Sequence, residues 1–215
     1  MIRVAFILIA MSTAPAATAQ SDCHVGLMAG YVSGRSQHVP DESAPLNDTF
    51  DVEGRGLGAK LGCLATRGGW RYGFGADLMD SKAKGDTQMH APNQNFFGET
   101  YFEWFGTVRA VGGYEFASGW STYLTGGVAV ASIRLRICPL TLTSCATETQ
   151  TFWGLTGGAG VQYRFLRRMS ASLEYLYFGF EDKPFRRSGE LVVGDHDISV
   201  NPEAHMLRLG LNFHF

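Results

Sequence analysis

The last ten residues constrain the fold more than any other stretch of the chain. Leu207, Leu209, Leu211, Phe213 and Phe215 form an unbroken apolar row at every second position, interleaved with Met206, Arg208, Gly210, Asn212 and His214. A period of two is the mark of a β-strand with two unlike faces. The same alternation recurs upstream and predicts eight strands, near 23–34, 54–65, 70–80, 99–116, 120–136, 151–165, 170–180 and 203–215. Short connections at 66–69, 117–119 and 166–169 alternate with long polar stretches at 35–52, 81–98, 137–150 and 181–202. An even number of strands with short turns at one end and long loops at the other predicts an all-β chain, an eight-stranded antiparallel up-and-down transmembrane β-barrel.

The amino terminus agrees with export. Arg3 is followed by the apolar run Val4 to Met11 and by Ala17-Thr18-Ala19 before Gln20, so residues 1–19 read as a signal peptide and 20–215 as one barrel domain. The run is too short for a membrane helix, and no later segment offers the roughly 18 apolar residues that one needs, so any span must consist of strands. The charge balance, 20 acidic against 18 basic residues with no basic stripe, argues against a nucleic-acid partner.

The apolar rows are Val25, Leu27, Ala29 and Tyr31 in the first strand, Leu57, Ala59, Leu61 and Cys63 in the second, and Trp70 through Leu78 in the third. Phe102, Trp104, Val108, Ala110 and Tyr114 extend the pattern in the fourth strand, Trp153 through Phe165 in the sixth, and Ala171 through Tyr177 in the seventh. In the fifth strand both rows are weakly apolar, and its facing stays open. A soluble ligand-carrying barrel would show the same period turned inside out, so the polar row must decide. That row mixes many of the 27 glycines with a few long ionic side chains, which suits the interior of an eight-stranded barrel, only just wide enough for side chains. Aromatic residues gather at both strand ends, as at two membrane interfaces.

The candidate lumen network is Lys60, Asp77, Glu103, Arg109, Glu174 and Arg208. These residues fit either an ionic plug that fills the interior or a gate that opens a narrow channel. His24 and His214 lie in the polar rows of the first and last strands, but two ligands without a third favour rim histidines over a metal site. Arg134, Arg136, Lys183, Arg186 and Arg187 are candidates for charge-assisted hydrogen bonds to lipopolysaccharide phosphates. Cys138 and Cys145 bracket six residues, and Cys23 and Cys63 share a face by parity, so these two pairs are the expected disulfides in an oxidising compartment. His196 and Ser199 lack an evident third partner, and no nucleophile elbow, phosphate loop or zinc motif occurs, so neither catalysis nor a cofactor is expected.

Trp104-Phe105-Gly106-Thr107-Val108-Arg109 with Gly113-Tyr114, then Tyr123-Leu124-Thr125-Gly126-Gly127-Val128-Ala129, resemble the small porin-like, opacity-type outer-membrane proteins of Gram-negative bacteria, whose domain is an OmpA-type barrel. Gly157-Gly158-Ala159-Gly160-Val161, Leu173-Glu174-Tyr175-Leu176-Tyr177 and Leu209 to Phe215 carry the resemblance through the rest of the chain. It implies an outer-membrane protein that is exported to the periplasm first. It also implies that the barrel-assembly machinery reads the strand bearing Phe213 and Phe215, and that the role is structural, antigenic or adhesive. A small-solute channel and a surface receptor for haem or a host ligand, bound through the loops, remain the alternatives. Four cysteines depart from the family pattern, and no peptidoglycan-binding domain is expected after Phe215.

Overall fold

A computed structural model describes residues 20–39, 48–91, 94–116, 119–139, 145–181, 183–185 and 198–215. The expected signal segment, 1–19, lies outside the described residues. The strands are β1 (Gln20–Val39), β2 (Asp48–Arg67), β3 (Trp70–Ala91), β4 (Gln94–Glu115), β5 (Trp120–Pro139), β6 (Ala146–Leu166), β7 (Met169–Phe180), β8 (Lys183–Phe185) and β9 (Ile198–His214). Each pairs antiparallel with its neighbour, and β1 pairs with β9 from His24↔His214 to Val39↔Ser199, which closes the ring. β8 has three residues and pairs with β9 beyond the end of β7, so the closed wall has eight strands.

The tight ends follow from local chemistry. Gly68 (φ 59°) and Gly69 (φ 84°) form the two-residue link between the paired Arg67 and Trp70. Two consecutive positive φ values match the right-handed twist of a hairpin, and only glycine adopts them without steric cost.

The strands outrun their sequence-based limits. β1 and β2 stay paired out to His38↔Asp48, and β3 and β4 to Ala91↔Gln94, so much of 35–52 and 81–98 is ladder and not loop. Strands of 20 to 22 residues, at ~3.3 Å per residue and tilted by about 45°, stand on the order of 45 Å tall, beyond an apolar band of ~25 Å. Outside that band the outer face meets water and turns polar, as at Lys82, Lys84 and Asp86, so the outer apolar row ends while the backbone pairing continues.

Burial is inverted relative to a soluble protein. Leu27 (71% exposed), Leu57 (70%), Leu124 (70%) and Leu155 (71%) point off the wall, while Arg71, Asp77, Arg109, Glu174 and Arg208 are buried inside it. An apolar surface that encircles the molecule needs a lipid solvent. The fifth strand has a definite facing: Ser121, Thr125, Ala129 and Ala131 are buried, whereas Leu124 and Val128 are exposed. One expected facing is corrected. The register shifts between Phe102 and Trp104, and this bulge at Glu103 turns Phe102 out of the lipid-facing row into the interior, where it is 2% exposed. Trp104 remains on the outer wall, beside Gly106.

Candidate functional site

The interior brings buried charged groups together, and it is layered. Nearest the short turns, Asp22 of β1 accepts from Arg71 Nη2 (3.4 Å), from Arg164 and from His214 Nδ1 (2.8 Å). His214 Nε2 lies 2.8 Å from Ser170 Oγ, which also accepts from Gln162 (2.9 Å) and Asn212 (3.1 Å). His214 is a rim histidine as expected from the sequence, but Asp22, which joins it to Arg71 and Arg164, was not singled out there. Its one signal was that it precedes His24 by two and so shares the polar row.

Above the rim stands a closed ring of four charges. Arg109 donates to Asp77 Oδ2 (2.7 Å) and Glu174 Oε1 (2.8 Å); Arg208 donates to Asp77 Oδ2 (2.9 Å) and, through Nε, to Glu174 Oε2 (2.5 Å). In the eight-stranded wall β3 faces β7 and β4 faces β9, so the contacts of Arg109 with Glu174 and of Arg208 with Asp77 cross the lumen from one side to the other. Each carboxylate meets two guanidinium groups and each guanidinium two carboxylates, which offsets the desolvation of four buried charges. Lys60 comes close, with Nζ donating to Ser172 Oγ at 2.8 Å.

Glu103 does not belong to this ring. The bulge carries it to the outer part of β4, where it pairs with Arg134 and accepts from Ser132 Oγ at 3.0 Å. Arg136 pairs with Glu99 at 3.4 Å. The Lys183 side chain, Arg186 and Arg187 lie outside the described residues.

Next to the ring, away from the rim, the lumen turns apolar. Met28, Met79, Leu176 and Met206 lie two positions along their strands from Gly26, Asp77, Glu174 and Arg208, and all are buried. Beyond them Phe105 stacks on Phe102 (centroids 5.3 Å apart) and leans on Phe178 (5.4 Å), with Phe152 and Phe180 also buried. Arg208 Nη1 approaches Met28 Sδ at 3.3 Å, so the ionic and apolar layers touch. This layer, too, escaped sequence reasoning. Its signal was the continuous apolar run Leu173–Phe180, broken only by Glu174 and Gly179, which reads as burial on both faces.

Two disulfides tie neighbouring strands. Cys23 and Cys63 are direct cross-strand partners with Cα atoms 4.0 Å apart, on the outer wall near the short turns. Cys138 and Cys145 close the opposite end of β5 and β6, with Cα atoms 4.3 Å apart. His24 and His214 pair across the seam, ring centroids 5.3 Å apart, and among the described residues no three His, Cys, Asp or Glu side chains cluster as metal ligands.

A closed wall of eight strands, lipid-facing outside and filled with paired charges and apolar side chains within, defines a small transmembrane β-barrel. The chain belongs to the outer-membrane protein β-barrel domain family, whose pattern it matches over residues 4–215. It is similar to the 31 kDa outer-membrane immunogenic protein of Brucella melitensis biotype 1, 28% identical over 206 residues that cover 89% of this chain and 82% of that protein. The protein of the same description from Brucella suis biovar 1 matches to the same extent. Among solved structures, the outer-membrane protein OprG of Pseudomonas aeruginosa shares the fold, with a TM-score of 0.52 and 13% identity, covering 92% of this chain and 97% of that one. The protein is therefore an outer-membrane β-barrel of the Gram-negative envelope.

Proposed function

We propose that this barrel is sealed and serves the envelope as a structural and surface-interacting protein, acting through its outward extensions and not by conducting solutes. One observation carries the reading: the ring of Asp77, Arg109, Glu174 and Arg208 bridges opposite walls, and a packed layer of Met and Phe side chains lies directly against it. A permeating solute would have to break four buried ion pairs and then cross an apolar layer. Among small barrels an eight-stranded wall leaves the least room for bypass.

The Brucella relatives are described as immunogenic. Carried to this chain, that supports display of the end opposite the short turns to the outside. Arg134 and Arg136 stand on the outer wall above the apolar band and are half exposed. Lipopolysaccharide phosphates are the anions found at that height, and to bind there they must compete with Glu103 and Glu99. Phe213 and Phe215 are exposed at the end of the last strand, accessible to the barrel-assembly machinery.

Planar-bilayer recording of the refolded mature protein tests the sealed reading. Silence, or rare small openings, is expected. Steady, large conductance overturns it in favour of a porin-like channel, and saturable binding of haem or a host ligand by the silent barrel would place it among receptors.

A further inference from the structure

Between the Asp22 rim and the four-charge ring the lumen keeps a half-enclosed cavity of about 50 Å³, whose lining includes His24, Lys60, Arg71, Ser121, Tyr123 and Gln162. A buried water needs only about 10–15 Å³ of such space, so a small ion fits.

The charges around the cavity do not cancel. From the rim to the ring the described inward rows carry Asp22, Asp77, Glu115 and Glu174 against Lys60, Arg71, Arg109, Arg164 and Arg208. Asp77 and Glu174 are each held by Arg109 and Arg208; Asp22 by Arg71, Arg164 and His214; and Glu115 lies 3.8 Å from Arg71. Lys60 is the cation left over: among the described residues its ammonium meets Ser172 Oγ and no carboxylate within 4 Å. An ammonium has three donors, so Lys60 has two to spare.

The same cavity wall holds two further buried nitrogens without a hydrogen bond, Arg71 Nε, which faces Glu115 Oε2 at 3.8 Å, and His24 Nδ1. Arginine Nε is always a donor. The carboxylates that also line the space, Asp77 and Glu174, are already occupied by guanidinium groups. Space for the ammonium is built into β9, on the far side of β1 from β2. A Cβ on Gly210 would lie 2.7 Å from Lys60 Nζ, so a side chain there would displace it.

We propose that this cavity is a binding site for a small monovalent anion, chloride in the first instance, held by Lys60 with Arg71 and His24 on the same wall. An ammonium without a carboxylate partner inside a lipid-encircled wall is costly, and one halide ion beside Lys60 answers the excess charge and takes up its spare donors. Asp77 and Glu174 on the cavity wall select against multivalent oxyanions. The ion would lie on the rim side of the ionic ring, within reach of the periplasm but cut off from the outside.

Crystals of the refolded barrel soaked in sodium bromide test the site directly, with an anomalous peak expected in the cavity beside Lys60. In parallel, the temperature at which the folded, fast-migrating gel band is lost is compared in sodium chloride and sodium gluconate at equal ionic strength. A ligand that binds only the folded state raises that temperature in step with its concentration, so chloride is expected to raise it by several degrees and Lys60→Met to remove the difference. Absence of a bromide peak, meaning that water alone fills the cavity, overturns the proposal, as does a full chloride effect in Lys60→Met. If that variant fails to fold, the bromide experiment on the unmodified protein decides alone.

Discussion

Glu174 and Arg208 are direct cross-strand partners on β7 and β9, and the guanidinium Nε reaches the carboxylate at 2.5 Å inside the barrel. A pair formed between adjacent strands fixes register. Arg208 does more, because its Nη2 also crosses the lumen to Asp77 on β3. The last strand is thereby tied both to its neighbour and to the opposite wall, and the residue that completes the ring belongs to the strand that closes the barrel.

Replacing Arg208 with Ala should therefore destabilise the barrel by about 3–5 kcal/mol, because it leaves Asp77 and Glu174 buried with Arg109 as their only guanidinium partner. Urea unfolding in lipid vesicles measures this. The double variant with Glu174→Ala should lose less than the sum of the two single losses, as expected for groups in one network. Strict additivity would show that the two residues do not act together.

Mapping of non-reduced peptides should join Cys23 to Cys63 and Cys138 to Cys145. In the chain-entropy description the first link, which closes the longer loop, contributes about 4 kcal/mol and the second about 2–3 kcal/mol. Serine at Cys23 should thus lower stability more than serine at Cys138. A peptide joining Cys23 to either of the other two cysteines would contradict the arrangement.

What could be read in advance follows from where lipid touches the chain. Leu207 to Phe215 announced a strand because one face meets hydrocarbon and the other a polar interior, and this contrast made the strand count and the ring closure legible. Where the contrast vanishes, so does the signal. Residues 35–39, Arg35-Ser36-Gln37-His38-Val39, continue their ladder above the apolar band with polar residues in both rows, and Tyr123 to Ala131 alternates with residues just as small or apolar. Asp77, Arg109, Glu174 and Arg208 were visible as long charges among glycines, but their assembly into one ring depends on which strands face each other across the lumen. Phe102 and Glu103 were misplaced for a different reason: a bulge inserts one residue into β4, and parity counted through it points the wrong way. The inner Phe and Met layer was hidden because its residues share a row with the charges.

Deleting Phe215 should impair assembly. Its backbone N–H donates to Cys23 O at 2.9 Å, the last link of the β1–β9 seam, and its ring is 74% exposed at the membrane edge. Loss of the residue removes both the terminal aromatic group and that closing hydrogen bond. Outer-membrane levels of the truncated protein, and the fraction that migrates fast without boiling, should fall together; unchanged levels would reject a role for the terminal ring in assembly.

The two lumen layers should act as barriers in series. Arg208→Ala opens the ionic ring but leaves Phe102, Phe105 and Phe178 packed against one another. Phe105→Ala removes the ring between Phe102 and Phe178, at about 3–5 kcal/mol, but leaves four buried ion pairs intact. Each single variant, purified as its folded form and reconstituted, should therefore remain nearly silent in planar bilayers. The double variant should show steady conductance, since an ion then meets neither a closed ring of fixed charges nor a continuous apolar layer. Full conductance from Arg208→Ala alone would mean that the apolar layer is no barrier and that the ring is a gate. Silence of the folded double variant would mean that a further part of the wall seals the lumen.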